Sequence, residues 1–158
     1  GHLCIYDDSF PIAIIGLDTL VEGAPHGKLC TNRLAWLAEK LDACAGRPVL
    51  MFMHHPPLLT GLQDMDSIGL LTGMEDLSGL VARHGQVQAI LCGHMHRSIH
   101  GLCGGAPVRV SPSASHQIAF DLRDREPYRF TDELAQYMMH IWHSDLGLVS
   151  HVVPVAPE

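Results

Sequence analysis

Pro48-Val49-Leu50-Met51-Phe52-Met53-His54-His55-Pro56-Pro57 and Val87-Gln88-Ala89-Ile90-Leu91-Cys92-Gly93-His94-Met95-His96 share one plan: a short apolar, β-prone run that ends in imidazoles. Breakers bound both runs, so each reads as a buried strand, and open α/β sheets bind ligands beyond the carboxyl ends of their strands. Imidazole suits zinc, iron, copper and nickel, and a His-x-His pair in a turn is not explained by core packing. The two clusters together read as half of a metal site.

Working outward, Leu3 to Tyr6 and Ile12 to Asp18 read as strands separated by Asp7-Asp8-Ser9. Thr31 is a candidate N-cap, and Leu34, Leu37, Ala38 and Leu41 recur at helical spacing until Gly46-Arg47-Pro48 stops the pattern. Leu58 to Leu71 reads as a glycine-punctuated loop, after which Thr72 and Glu75 form a capping box for a helix through Leu77, Leu80 and Val81 to Gly85. From Ser98 only strands follow. Ser98 to Cys103 and Pro107 to Val110 flank the hairpin signal Gly104-Gly105-Ala106, and Gln117 to Leu122 comes after Ser111-Pro112-Ser113. Ala135 to His143 and Leu148 to Pro154 form a last pair around Ser144-Asp145-Leu146-Gly147, and the charged stretch Asp121 to Glu133 reads as a surface excursion. An α/β first half feeding an antiparallel second half predicts a layered sheet sandwich with helices outside, α+β within this stretch.

Composition narrows the chemistry. The 158 residues are 47% hydrophobic, enough for one soluble domain with a sizeable core. Net charge is −7 with histidine neutral and there is no basic run, so neither a nucleic-acid groove nor an anionic membrane surface is an expected partner. No apolar run approaches bilayer-spanning length. Cys4, Cys30, Cys44, Cys92 and Cys103 are odd in number and unpaired in spacing, which points to a reducing compartment and a cytoplasmic location. Gly1-His2, without an initiator Met or a signal peptide, reads as a tag remnant or cleavage point. Twelve histidines imply either function or repeated burial, and composition does not separate the two.

The His54-His55-Pro56-Pro57 and Gly93-His94-Met95-His96 elements, the interposed Met65-Asp66-Ser67-Ile68-Gly69 and the later Ser111-Pro112-Ser113-Ala114-Ser115-His116-Gln117 resemble the calcineurin-like metallophosphoesterase superfamily. They are most similar to its bacterial class III cyclic-nucleotide phosphodiesterases and glycerophosphodiesterases. The likeness includes Gly16-Leu17-Asp18-Thr19, the helix with Leu34-Ala35-Trp36-Leu37, and the strand with Trp142. It implies a four-layer αββα sandwich of which residues 1–158 are the carboxyl-terminal portion, with an excursion at about 123–133 and a terminal strand pair at 134–158. In that family an amino-terminal half bearing Asp-x-His, Gly-Asp and Gly-Asn-His motifs completes a dinuclear site. None of those motifs occurs here.

The resemblance implies that His54 and His94 hold one ion and that His96 holds the other; residues one apart in a turn can reach ions about 3.5 to 4 Å apart. It implies two divalent ions (iron, manganese, zinc or cobalt), a small phosphodiester substrate, and in-line attack by a metal-bridging hydroxide. His55 is either support for its neighbour, a packed residue or a direct ligand, with support favoured over ligation. The resemblance places His116 near the substrate, where it would contact phosphate or protonate the leaving alkoxide; the alternative is a hydrogen-bonded loop residue. His140, His143 and His151 read as sheet or interface residues. Met51, Met53, Met138 and Met139 read as core. Asp18 reads as a turn or hydrogen-bonding residue, Asp64 and Asp66 as either a lid or a solvated loop, and Arg97 as a candidate contact for an anionic substrate. A stretch lacking the bridging aspartate is expected to be inactive alone and to self-associate through its uncovered sheet face and terminal strands. Three other readings stand beside this one: a noncatalytic oligomerisation module, a phosphomonoesterase of the same superfamily, and a mononuclear zinc protein using His54, His94 and His96.

Overall fold

The computed structural model describes residues 2–123 and 127–155. In chain order the elements are β1 (Ile5–Asp7), β2 (Ala13–Leu17), β3 (Gly27–Lys28), α1 (Thr31–Ala43), β4 (Val49–Met53), α2 (Gln63–Asp66), β5 (Leu70–Thr72), α3 (Met74–Ala82), β6 (Val87–Cys92), β7 (Ile99–Cys103), β8 (Ala106–Val110), β9 (Gln117–Ile118), β10 (Phe130–Thr131), β11 (Gln136–His143) and β12 (Gly147–Pro154). Six strands form one sheet in the order β1-β2-β4-β6-β8-β7. The inner four are parallel and the two edge strands antiparallel.

The register explains which face is core. Ile15 and Leu17 lie beside Met51 and Met53, these beside Ile90 and Cys92, and these beside Val108 and Val110. All eight are at most 6% exposed, and they share one cluster with Leu37 and Leu41 of α1 and Leu77, Leu80 and Val81 of α3. Truncating such a side chain, Met51 for example, costs about 2–5 kcal/mol. The other face carries Leu50, Phe52, Leu91 and Arg109, and Phe52 is 40% exposed there. The β11–β12 ribbon meets this face through Arg109, whose guanidinium donates to the Leu148 carbonyl at 3.1 Å and to the Ser150 hydroxyl.

The strand hairpins at Gly104-Gly105 and at residues 144–146 form as expected. Several local expectations are corrected. Thr31 is the first residue of α1, not its cap; Cys30 holds that place without a side-chain bond. Thr72 belongs to β5, where its carbonyl accepts the Leu29 N–H at 2.9 Å, so the Thr72–Glu75 capping box does not form. Gly73 precedes α3 instead, at φ 85°, where a Cβ would lie 2.4 Å from the Leu29 carbonyl oxygen. Only glycine fits so close a left-handed turn. The strand expected over Gln117 to Leu122 stops at Ile118, because its partner β10 is two residues long. The loop after Pro57 contains α2 and runs into β5. Met51 and Met53 are core, but Met139 is 47% exposed, since alternate residues of a two-stranded ribbon face away from the sheet.

Candidate metal centre

His54 follows the last residue of β4, and its carbonyl accepts the Gly93 N–H at 3.1 Å, which joins the two histidine stretches at the same end of the sheet. Beyond β6 the chain turns sharply: His94 has φ 69° and His96 has φ 49°, left-handed values that a side chain with a Cβ adopts only at a cost. Met95 between them is fully buried and anchors the turn, so the flanking histidines are presented on either side. Strain of this kind, held by the surrounding structure, is found at ligand sites.

His54 Nε2 and His94 Nδ1 face each other at 3.2 Å. Two imidazoles bound to one tetrahedral zinc ion would place their nitrogens about 3.3 Å apart. The spacing matches that of two imidazoles on one ion, and equally that of an N–H···N hydrogen bond between the rings. His94 Nε2, on the side of the ring away from His54, is buried without a hydrogen-bond partner.

His55 completes the cluster of three imidazoles whose ligand atoms lie within 4.8 Å of one another, yet its own nitrogens are taken. Nε2 donates to the Pro25 carbonyl at 3.0 Å, which leaves Nδ1 to accept from the Thr19 hydroxyl at 2.8 Å. With both nitrogens engaged, His55 has no lone pair left for a metal. Its ring packs directly on Gly27, where a Cβ would lie 2.5 Å away.

His96 turns the other way. Its Nδ1 lies 3.1 Å from the His116 carbonyl, which can only accept, so Nδ1 carries the proton and Nε2 is left with the lone pair. The His116 ring stands 4.8 Å from His96, and Ser115 Oγ lies 3.1 Å from its Nδ1. The structure thus makes two groups, His54 with His94 and His96 with His116.

Burial lowers the pKa of His54, His55 and His94, and neighbouring imidazoles add to it. His94 is brought down to about 4 by burial first and then by the charges of His55 and His54, against an opposing backbone interaction with Ile68. The cluster is neutral near pH 7, the form in which imidazole binds metal.

Other sequence candidates are occupied. Asp18 accepts from the Leu20 N–H and pairs with the buried Arg33 at 2.9 Å. Asp66 staples the preceding loop through the N–H groups of Thr60 and Gly61, and Asp64 accepts the Tyr128 N–H. Arg97 is spent on Glu133 and the Ile118 carbonyl. A cavity of about 660 Å³ opens beside His54, lined among others by Thr19, Phe52, Gly93 and His140. His140 is held there by Ser150, whose Oγ is 2.7 Å from its Nδ1. Met95, Gly27 and Pro25 escaped the sequence reading because an apolar residue, a lone glycine and a loop proline carry no signal of their own.

No family model matches the chain. It is 39% identical over 151 residues, 96% of its length, to the probable glycerophosphodiester phosphodiesterase GpdQ of Arcobacter nitrofigilis. It is 44% identical over 112 residues to a probable cyclic nucleotide phosphodiesterase of Rhodopseudomonas palustris, and 35% identical over 104 residues to the 3′,5′-cyclic adenosine monophosphate phosphodiesterase CpdA of Escherichia coli K12. These alignments cover 69% and 66% of the chain. The chain spans about half or less of these relatives: 55%, 40% and 38% of their lengths. Its fold matches that of a dimetal phosphatase from Danio rerio with a TM-score of 0.58, covering 98% of this chain and 61% of that one at 14% identity.

Proposed function

Because the chain belongs to the calcineurin-like metallophosphoesterase superfamily, we propose that it is the carboxyl-terminal portion of a single domain whose complete form hydrolyses phosphodiesters with two bound metal ions. The observation that carries this reading is the opposed pair His54 Nε2 and His94 Nδ1, 3.2 Å apart, with His96 turned aside by the His116 carbonyl. His54 and His94 hold one ion and His96 the other. His55 orients its neighbour from behind, through Thr19 and Pro25. Bound there, the ions supply Lewis acidity and a water of lowered pKa.

His116 then serves the leaving group. Water adds its oxygen to phosphorus, the P–O bond to one alcohol breaks, and His116 delivers the proton that the departing alkoxide needs. An acyclic diester gives a phosphomonoester and an alcohol, whereas a cyclic one opens to a single phosphomonoester that keeps the freed hydroxyl. The names of the relatives point to cyclic nucleotides or glycerophosphodiesters as substrates, and iron, manganese, zinc and cobalt all suit the donor set. A cytoplasmic location fits the free cysteines.

A noncatalytic role in self-association is favoured by one further observation, the exposed apolar face of the terminal ribbon, where Tyr137, Met139, Ile141 and Val149 are all at least 39% exposed. Metal analysis of the full-length protein tests the main reading. Two ions per chain are expected, falling toward one in His94→Ala and in His96→Ala, with loss of most diesterase activity; two ions and near-normal turnover in both variants would exclude these ligands.

A further inference from the structure

Gln117 follows His116 in the chain and is a polar residue sealed inside the molecule, 2% exposed. Its side-chain amide bonds the chain around it as a peptide group would. Oε1 accepts the Ser113 N–H at 3.1 Å, while Nε2 donates to the Ser113 carbonyl at 2.7 Å and to the Leu134 carbonyl at 3.3 Å. The oxygen meets a donor and the nitrogen meets acceptors, so the orientation of the amide is fixed. The Ser113 carbonyl also accepts the Gln136 N–H at 2.9 Å, which ties the loop to the start of β11. The backbone groups flanking Gln117 turn to a different residue. The His116 carbonyl lies 3.1 Å from His96 Nδ1, and the Ile118 N–H donates to the His96 carbonyl at 3.4 Å. The groups on either side of Gln117 thus bond His96, while its own side chain bonds the loop behind.

Resting on the two-metal reading of the site, we propose that Gln117 is a positioning residue that sets the tautomer of His96. The His116 carbonyl keeps the His96 proton on Nδ1 only while it stays in place. Packing does little to hold it, because Ala114 and Ser115 of the same loop are exposed. The Gln117 amide does, since it spans the loop from its last residue back to both backbone groups of Ser113. With the carbonyl fixed, His96 Nε2 keeps its lone pair for an ion. Once the carbonyl is released, the ring is free to carry its proton on Nε2, where it no longer ligates. Loss of such a partner lowers metal affinity roughly 10- to 100-fold. The ion held by His54 and His94 is spared, because those rings face each other in the other group.

The test reads imidazole nitrogen chemical shifts by nuclear magnetic resonance in the metal-free 158-residue chain at mildly alkaline pH. In the native chain His96 is expected as the Nδ1–H tautomer, with the Gln117 side-chain amide protons slow to exchange. Gln117→Met, close in size but without the amide, is expected to move His96 toward the Nε2–H tautomer. In the full-length protein the same variant is expected to bind one manganese ion roughly 10- to 100-fold more weakly and the other within about two-fold. Ile118→Val is the control for a merely structural role: it thins the core beside the same backbone and is expected to lower the thermal midpoint while leaving the tautomer and both affinities unchanged. An Nε2–H tautomer in the native chain, an unchanged tautomer in Gln117→Met, equal weakening of both ions, or the same tautomer change in Ile118→Val would overturn the proposal. Should Gln117→Met fail to fold, the native chain decides: Gln117 amide protons that exchange as fast as those of an exposed glutamine count against the proposal, and protected ones beside an Nδ1–H His96 bear it out. Because the tautomer is read without metal, it is decided whether or not ions bind, whereas fewer than two ions in the native full-length protein would count against the two-metal reading instead.

Discussion

His94 and His55 are neighbours in space and opposite in physical character. His94 holds a left-handed backbone and an unpartnered buried nitrogen; His55 has both nitrogens satisfied and is 2% exposed. Mutation should therefore move stability in opposite directions. Without metal, His94→Gly should keep or raise the thermal midpoint, because a glycine relieves backbone strain of about 1–2 kcal/mol. The same variant should lose zinc affinity. His55→Ala should instead lower stability by about 2–3 kcal/mol, since it opens a cavity and leaves the Thr19 hydroxyl and Pro25 carbonyl unpaired. Denaturant melts of the metal-free variants check both, and a His94→Gly as unstable as His55→Ala would make His94 a packing residue. In the full-length protein, His116→Ala should slow diesters with poor leaving groups more than nitrophenyl diesters, which hardly need a proton; equal losses would assign His116 to binding alone.

At the scale of elements, the loop between β2 and α1 is held by a single buried hub. Arg33 donates to the carbonyls of Lys28 and Leu20 and to Asp18, which in turn accepts the Leu3 and Leu20 N–H groups. Thr19 and Pro25, the partners of His55, ride on that loop. Burial alone would push the Asp18 carboxyl up, but its backbone donors and Arg33 outweigh it and hold it below the ordinary carboxylate range. A folded-state pKa below the unfolded one gives stability that is complete above the unfolded value of about 3.9 and fades as pH falls through the folded value. Asp18→Asn should be less stable than the native chain at pH 7 and should flatten the acid limb of the stability curve. Urea melts between pH 7 and pH 2 measure this, and parallel curves for the two proteins would remove Asp18 from the linkage.

For the whole molecule, one sheet face is sealed by α1 and α3 and the other is only partly covered by the β11–β12 ribbon. Phe52 on that second face and Ile141 on the outer side of the ribbon are 40% and 54% exposed. Uncovered apolar surface of this kind favours association, so the 158-residue chain should sediment as a dimer or larger species at micromolar concentration. A stable monomer there would contradict this. The same chain should show no manganese-dependent hydrolysis of bis(nitrophenyl) phosphate, because imidazoles alone supply no bridging carboxylate to hold a second ion. Hydrolysis that vanishes in His94→Ala would mean that the ligand set is already complete.

The strands ending at Met53 and Cys92, the helix with Leu37 and Leu41, and the histidines placed just past the strand ends were legible in the sequence because they depend on local periodicity and on breakers. The two motifs together also sufficed for the family. What the sequence could not determine were relations between residues far apart in the chain. His55 meets Thr19 and Pro25, His96 meets the His116 carbonyl, and Phe130 meets the His116 ring only after β2, β4 and β6 are in register and β10 has returned to β9. Even the start of α3 was decided this way. The Thr72–Glu75 spacing is a valid local signal, but the pairing of β5 with β3 claims Thr72 first and passes the turn to Gly73. Local pattern determines which elements form; which histidine is left with a free lone pair depends on partners that only the tertiary fold supplies.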